Sequence, residues 1–377
     1  MRGLGERVIR ALRHAAPALL AYAAVRTLGL LVLTEWAHRT HRSVRHLLMR
    51  SWDCDWYLRI ADHGYTHTLG TQFDANNLAF FPLYPALVRA ADTLLPWLPR
   101  GAAGLGITLV CSFLAAWGIF AVGDRLYGRR AGVVLACLWG SLPVALVQWM
   151  GYTESLFTAL TAWSLYAVLT GRWLWAGSLA ALAGVTRPTG VALAAAVSVT
   201  ALLTLRGKAT RFPPRPLLGA LLAPLGWLAY VGWVGLRLGR WDGYFAVQKL
   251  WRNEWDGGVE TLRRMRDLFM TERPPLFLAM VTATLLGAVV LYVLSVGDRQ
   301  PLPLLVFSGL LLLIVLGSSG VYFPRARFLL PGFPLLLPLA VALARARTRV
   351  TATVLTAAAF GSSVFGGHML LGWHGPP

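Results

Sequence analysis

Apolar runs about as long as a bilayer is thick recur from one end of this 377-residue chain to the other. They cover residues 15–37, 103–123, 131–150, 155–170, 174–188, 190–205, 217–236, 275–296, 302–318, 328–344 and 352–371, and each predicts a helix. The run 77–98 is broken by Pro82, Pro85, Arg89, Asp92 and Pro96, so it predicts an amphipathic or re-entrant element instead. The fifth and sixth runs are short, and Arg187-Pro188-Thr189-Gly190 separates them, the pattern of a broken helix that lines a cavity. No long hydrophilic block divides the runs, so the chain reads as one all-α polytopic membrane domain, residues 1–377. Its polar segments of any length are 38–102 and 237–274.

Composition agrees with that pattern. The chain is 56% hydrophobic and 14% charged, against about 25% charged in a soluble domain. Its net charge of +19 comes from short basic clusters between apolar runs rather than one stripe, which is membrane-flanking charge and not a nucleic-acid surface. Arginine outnumbers lysine 33 to 2, so an arginine at any single position carries little weight. Cys54, Cys111 and Cys137 lack metal-ligand spacing, and the last two sit in apolar runs as small hydrophobes; neither a disulfide nor a zinc site is expected. The basic start and first apolar run resemble a signal peptide, but the run continues to Leu33 without a small-residue cleavage site, so it reads as an uncleaved first span.

A cytoplasmic N-terminus makes 1–14, 124–130, 171–173, 206–216, 297–301 and 345–351 the inner segments, with 16 Lys+Arg and 3 acidic residues. The remaining charges, apart from Arg26 within a span, number 18 basic and 13 acidic and fall outside. Short inner loops are thus distinctly positive, as the positive-inside rule requires. The same assignment puts five polar features on the outer face: residues 51–65, Tyr152-Thr153-Glu154, the Arg187 break, the loop 237–274 and the Arg325/Arg327 pair. Their convergence describes an active site opening away from the cytoplasm. It disfavours a cytoplasmic nucleotide-sugar or ATP substrate, and no Walker-type phosphate loop is present.

The segment 51–65 concentrates Asp53, Asp55 and Asp62 among four aromatics. Ser51 is placed to cap a short helix whose first turn holds Asp53 and Asp55, where acids complement the helix dipole without any catalysis. Asp55 is also spaced to pair with Arg59. Asp53, between Trp52 and Trp56, is the better proton acceptor, because a carboxylate held among rings is poorly solvated. Glu154 begins an apolar span, either as an acidic first turn or as a ligand for sugar hydroxyls. Arg187 must find an anion or snorkel to the interface, and a phosphate matches its guanidinium. Arg325 and Arg327 offer two further cations before the tenth apolar run, of which one is expected to face the site. His63, His67 and Asp74 share one irregular loop without ligand spacing, so no metal site is expected. Trp241-Asp242-Gly243-Tyr244-Phe245 echoes the first loop but is too short to establish a repeat.

Several motifs carry a family resemblance. Trp52-Asp53-x-x-x-Tyr57-x-x-Ile60-Ala61-x-x-Gly64-Tyr65, followed by Ala79-Phe80-Phe81-Pro82-Leu83-Tyr84-Pro85, resembles the signature of the PIG-V family, the GPI mannosyltransferase 2 type of GT-C glycosyltransferases. Gly151-Tyr152-Thr153-Glu154-Ser155-Leu156-Phe157 is similar to a further segment of that family, and Arg187-Pro188-Thr189-Gly190 to its Arg-Ser-Asn-Gly turn, from which Pro188-Thr189 departs. The resemblance covers residues 50–195 and beyond that rests on topology. It implies a GT-C-like bundle of about eleven transmembrane helices and an inverting mannosyltransferase. The donor would be a polyprenyl-phosphate-linked sugar and the acceptor a lipid or glycan, at the outer face of the cell membrane.

By position, Asp53 would be the catalytic base, with Asp55 ranked second. Tyr57, Tyr65, Phe81, Tyr152, Glu154, Arg187, Arg325 and Arg327 would bind substrate, the arginines meeting leaving-group charge. Trp56 and Phe80-Phe81-Pro82 would form an aromatic platform for sugar or lipid tail. A divalent cation is optional, because a phosphate is already a good leaving group. The arginine- and alanine-rich composition points to a bacterial member, for which a GPI acceptor is not expected. Two alternatives are a GT-C transferase of another sugar or onto protein, and a lipid or sugar transporter. The transporter predicts two similar halves, which the sequence does not display.

Overall fold

The computed structural model describes residues 2–71, 76–206, 214–320, 322–373 and 375. Each of the eleven apolar runs contains helix, and among the described residues there are no strands, one isolated bridge joining Trp255 to Ser318. In chain order the helices are α1 (Arg2–Arg39), α2 (Val44–Arg50), α3 (Asp53–His63), α4 (Leu83–Leu94), α5 (Arg100–Tyr127), α6 (Arg129–Gly140), α7 (Glu154–Leu169), α8 (Trp173–Gly184) and α9 (Gly190–Arg206). They continue with α10 (Pro214–Leu222), α11 (Leu225–Leu238), α12 (Gly243–Leu250), α13 (Val259–Met270), α14 (Leu276–Gly297), α15 (Leu302–Gly317), α16 (Arg325–Phe328), α17 (Leu337–Arg345) and α18 (Thr348–Leu371).

Residues 8–39, α5, α10 with α11 (residues 214–238), α14 and α18 are long and apolar enough to cross a membrane, and α8, α9, α15 and residues 333–345 are shorter apolar helices. The chain is an all-α, multi-pass membrane protein. Its helices pack through small residues where backbones come close, since apolar side chains gain little from leaving lipid. A Cβ at Gly123 of α5 would stand 2.8 Å from the Cα of Gly132 in α6, so neither helix tolerates a side chain at that crossing. α5 lies against α6 and α7, α1 against α18, and α8 against α7, α9 and α10.

Three apolar runs are not continuous helices. The run 131–150 leaves α6 at Gly140 and resumes as a 3-10 turn at Ala145–Trp149, held by Gln148: its side chain accepts from Tyr22 (3.1 Å) and donates to the Trp139 carbonyl (2.9 Å). The run 217–236 breaks at Ala223-Pro224, between α10 and α11. The run 328–344 opens as the end of α16, passes through a 3-10 turn at Phe333–Leu336 and becomes α17. The break at Arg187 between α8 and α9 stands where the proline-glycine spacing put it. The run 77–98 forms a 3-10 turn, Asn77–Ala79, and the amphipathic α4.

Candidate active site

Four charged side chains from four separate elements meet where α3 and α7 begin. Arg327 of α16 places Nη2 2.6 Å from Asp53 Oδ2 and Nη1 3.4 Å from Glu154 Oε1, while Arg187 Nη1 lies 2.7 Å from the same Glu154 oxygen. Two carboxylates and two guanidiniums thus neutralise each other in a place that would not tolerate any one of them alone. The Glu154 side chain is 1% exposed and the Asp53 side chain 22%, so Glu154 is interior and Asp53 reaches the surface of the cluster. Burial alone would lower the Arg327 pKa, but Asp53 and then Glu154 hold it above its ordinary range.

Local backbone chemistry aims these groups. Trp52 precedes α3 with φ 49°, a left-handed conformation that costs a non-glycine residue about 1–3 kcal/mol. That turn makes Asp53 the first residue of the helix. Ser51 was expected as the cap, but Trp52 holds the N-cap position and no side-chain cap bond forms. Thr153 stands at the N-cap of α7, and its hydroxyl faces away from the helix: Oγ1 accepts from Arg187 Nη1 at 3.0 Å and lies 3.1 Å from the Tyr57 hydroxyl. Arg327 sits 4.9 Å over the Tyr152 ring, and Arg187 and Arg327 each lie 5.3 Å from the Phe328 ring.

A cavity of about 170 Å³ opens over this cluster, lined by Asp53, Tyr57, Phe80, Phe81, Arg187, Gln248, Trp251, Asn253, Arg327 and Phe328 among others. Beside it, a smaller cavity of about 70 Å³ shares Arg187, Asn253 and Phe328 and adds Thr189, Ser318 and Arg325. The Thr189 hydroxyl there is buried without a hydrogen-bond partner among the described residues. Larger cavities of about 340 and 300 Å³ lie along α5 and α7 and along α14; their walls are mostly apolar and hold no carboxylate, whereas Asp53 lines the cavity of about 170 Å³.

The residues singled out in the sequence are distributed unevenly around this cavity. Asp53, Tyr57, Phe81, Arg187 and Arg327 form its walls. Glu154 and Tyr152 lie behind them, in contact with the arginines. Asp55 faces Arg59 at 2.7 Å and Arg50 at 4.0 Å, and Asp62 pairs with Arg100. Tyr65 turns to another cavity beside Tyr230 and Trp233, its hydroxyl donating to the Phe80 carbonyl at 2.9 Å. Arg325 and Arg327 sit on one helical turn, not an extended segment, because Pro324 starts a helix there. On a helix, residues two apart diverge, and Arg325 donates to Thr261 and the Ser318 carbonyl, away from Asp53. The nearest charged neighbour of Asp53 is Arg327; Trp56 instead stacks on Phe80 at 5.5 Å. His67 lies 2.9 Å from Arg237, and Asp74 is outside the described residues.

Gln248, Trp251, Asn253 and Phe328 line the cavity without having been singled out. Asn253 donates to Gln248 at 2.9 Å, and Gln248 in turn donates to the Tyr244 hydroxyl at 2.9 Å, so a chain of neutral amides forms one wall. Trp251 meets Trp56 and Phe80 edge-on at 5.5 Å each. For Gln248, Trp251 and Asn253 the sequence signals were their place in the polar segment 237–274 and the aromatic echo at Trp241–Phe245 a few residues before them.

No protein-family profile matches the chain. Over 149 residues it is 30% identical to the GPI alpha-1,6-mannosyltransferase 2 of Rattus norvegicus and 32% identical to that of Mus musculus. Each match spans 37% of this chain and only 29% of the relative's length. Among solved structures, ArnT from Cupriavidus metallidurans bound to undecaprenyl phosphate superposes with a TM-score of 0.55 at 14% identity, over 91% of this chain and 63% of that one. Archaeal oligosaccharyltransferase AglB from Archaeoglobus fulgidus, in complex with an inhibitory peptide and a dolichol-phosphate, superposes at 0.52 and 15% identity, over 94% of this chain and 56% of that one. The all-α membrane fold is therefore one that this chain shares with ArnT and AglB.

Proposed function

We propose that this chain is a membrane glycosyltransferase of the PIG-V type, in a bacterial form. It transfers mannose from a polyprenyl-phosphate carrier to a lipid-linked or glycolipid acceptor at the outer face of the cell membrane. The observation that carries the reading is the state of Asp53: one oxygen is paired with Arg327, the other has no partner among the described residues, and the carboxylate edges a cavity bounded by two arginines and an aromatic wall. The mannosyltransferase relatives favour mannose, and the fold shared with proteins solved with undecaprenyl phosphate or dolichol-phosphate favours a polyprenyl-phosphate carrier.

In this mechanism the acceptor hydroxyl sits against the open oxygen of Asp53. Its oxygen bonds to the anomeric carbon as the carbon–phosphate-oxygen bond breaks, and its proton passes to Asp53, inverting the centre. The departing phosphate takes its charge into the space shared by Arg187 and Arg325, where fixed cations stabilise it. Glu154 holds Arg187 and Arg327 in place from behind and is a positioning residue. Trp251 and Phe80 offer apolar faces to the sugar ring, and the amides of Gln248 and Asn253 accept or donate to its hydroxyls.

The test supplies polyprenyl-phosphate mannose, and separately the glucose and arabinose analogues, to purified protein in detergent with lipid and glycan acceptors. Mannose transfer with inverted configuration is expected. Transfer of another sugar alone overturns the donor, and no transfer by folded protein overturns the enzyme. Orientation is checked by Trp97→Cys, since Trp97 is 75% exposed and all three native cysteines are buried. An impermeant thiol reagent added to intact cells should label it; labelling only after lysis reverses the orientation.

A further inference from the structure

α13 carries two unlike faces. Inward, Thr261 is buried, with Met265 and Leu268 packed on the core. Outward, Val259, Leu262, Phe269 and Met270 are 56%, 69%, 78% and 75% exposed, a large apolar surface to leave in water. At about 100° per residue these four fall within an arc of about 120°, and the side chains of Arg263 and Arg266 fall inside the same arc. Arg263 pairs with Glu260 at 3.0 Å, whereas Arg266 has no carboxylate within ion-pair distance among the described residues.

Chain continuity decides what covers this face. Only five residues, two of them Pro274 and Pro275, separate Met270 from Leu276, the start of the membrane-crossing α14. Even fully extended they reach roughly 20 Å. Thr261 also donates to the Leu316 carbonyl at the end of α15, at 2.5 Å. α13 is therefore held against the ends of two helices, α14 and α15, at one membrane boundary. An apolar face with arginines on it, at that level, matches acyl chains below and headgroup phosphates beside it.

We propose that α13 is an interfacial helix that docks on the phospholipid surface, with Leu262 and Phe269 in the acyl boundary and Arg263 and Arg266 on anionic headgroups. Because Thr261, on its opposite face, accepts a hydrogen bond from Arg325, docking also sets the position of that arginine. This second consequence rests on the transferase reading; the docking itself does not.

The experiment uses the whole protein in vesicles of phosphatidylcholine, with and without phosphatidylglycerol. Nitroxide labels are attached to Leu262→Cys, Phe269→Cys and, as a water-exposed reference, Glu254→Cys; the native cysteines are buried and stay unlabelled. Labels at 262 and 269 should collide with oxygen more than with a water-soluble nickel complex, and the reference label the reverse. Equal nickel access at all three positions overturns docking. Spin–spin broadening between molecules at 262 assigns the face to a second copy instead, and also overturns it. Phosphatidylglycerol should deepen both labels, and the double variant Arg263→Gln/Arg266→Gln should lose that shift; a wild type indifferent to phosphatidylglycerol overturns the headgroup contact. Transfer in the same vesicles should fall several-fold without phosphatidylglycerol. Unchanged transfer with changed depth overturns the coupling to Arg325 and leaves the docking standing.

Discussion

The first residue of α3 and two later positions hold the same kind of residue with opposite outcomes. Asp55 is matched by Arg59, four residues on along one helix face, and Asp62 by Arg100; each of these arginine side chains is more than a third exposed. Asp53, two residues from Asp55, is matched by Arg327, which is 5% exposed and far away in the chain. Pairs of the first kind are common on any surface and contribute about 0–1 kcal/mol. The second kind survives only where several elements converge to neutralise it, and here they converge on a cavity. Acidity in this segment therefore means little by itself; who answers each acid, and from where, separates a solvated helix face from a site.

The sharpest break of that contrast is Asp53→Asn. It should lower transfer by about 100- to 10,000-fold, the usual contribution of a positioned general base, in protein that still folds but with a lowered unfolding midpoint, because Arg327 is buried and loses one of its two carboxylates. Transfer surviving in Asp53→Asn but lost in Asp55→Asn would reverse the comparison.

Glu154→Gln should act on stability first. It removes the charge facing both Arg187 and Arg327, and breaking a buried ionic cluster on one side costs about 3–5 kcal/mol, read as a fall in the detergent unfolding midpoint. A midpoint unchanged within error would mean that Thr153 and Asp53 suffice to hold the arginines.

Asn253→Ala sharpens the contrast from the opposite wall of the cavity. The loss of one hydrogen bond of about 0.5–1.5 kcal/mol should raise the KM for the sugar donor by up to roughly tenfold and leave kcat nearly unchanged. A fall in kcat at constant KM would move Asn253 from ground-state binding into the transition state.

The smallest effect belongs to the other two acids of α3. Asp55→Asn and Asp62→Asn should each cost less than about 1 kcal/mol and leave transfer near wild type, measured beside Asp53→Asn in one preparation.

Much of the fold was legible because bilayer thickness imposes a length on apolar runs, and prolines and glycines punctuate them. The break at Arg187 is one case: Pro188 cannot donate the backbone bond that would carry a helix through, and Gly190 follows it closely. The interruption after Gly140 was less legible: Pro143 stands in the run 131–150, but a proline alone does not decide where a membrane helix stops, as Pro17 inside α1 shows, and the buried partners of Gln148 hold the turn. Around the candidate cavity, Asp53 stood out because acids are rare in this chain, and Arg187 because a proline-glycine break follows it. Trp251 and Asn253 did not, because a tryptophan or an asparagine in a polar loop is unremarked until a cavity forms against it.

By itself the sequence determined that the chain lives in a membrane, where its helices run and which charges had to be accounted for, because transferring a charge or an unpaired backbone group into lipid is prohibitively costly wherever the fold puts it. Tertiary structure alone decided which charge answers which. Arg327 could have faced Ser318 as Arg325 does, and Glu154 could have met solvent; their pairing depends on four elements arriving at one point, and local spacing encodes no such convergence.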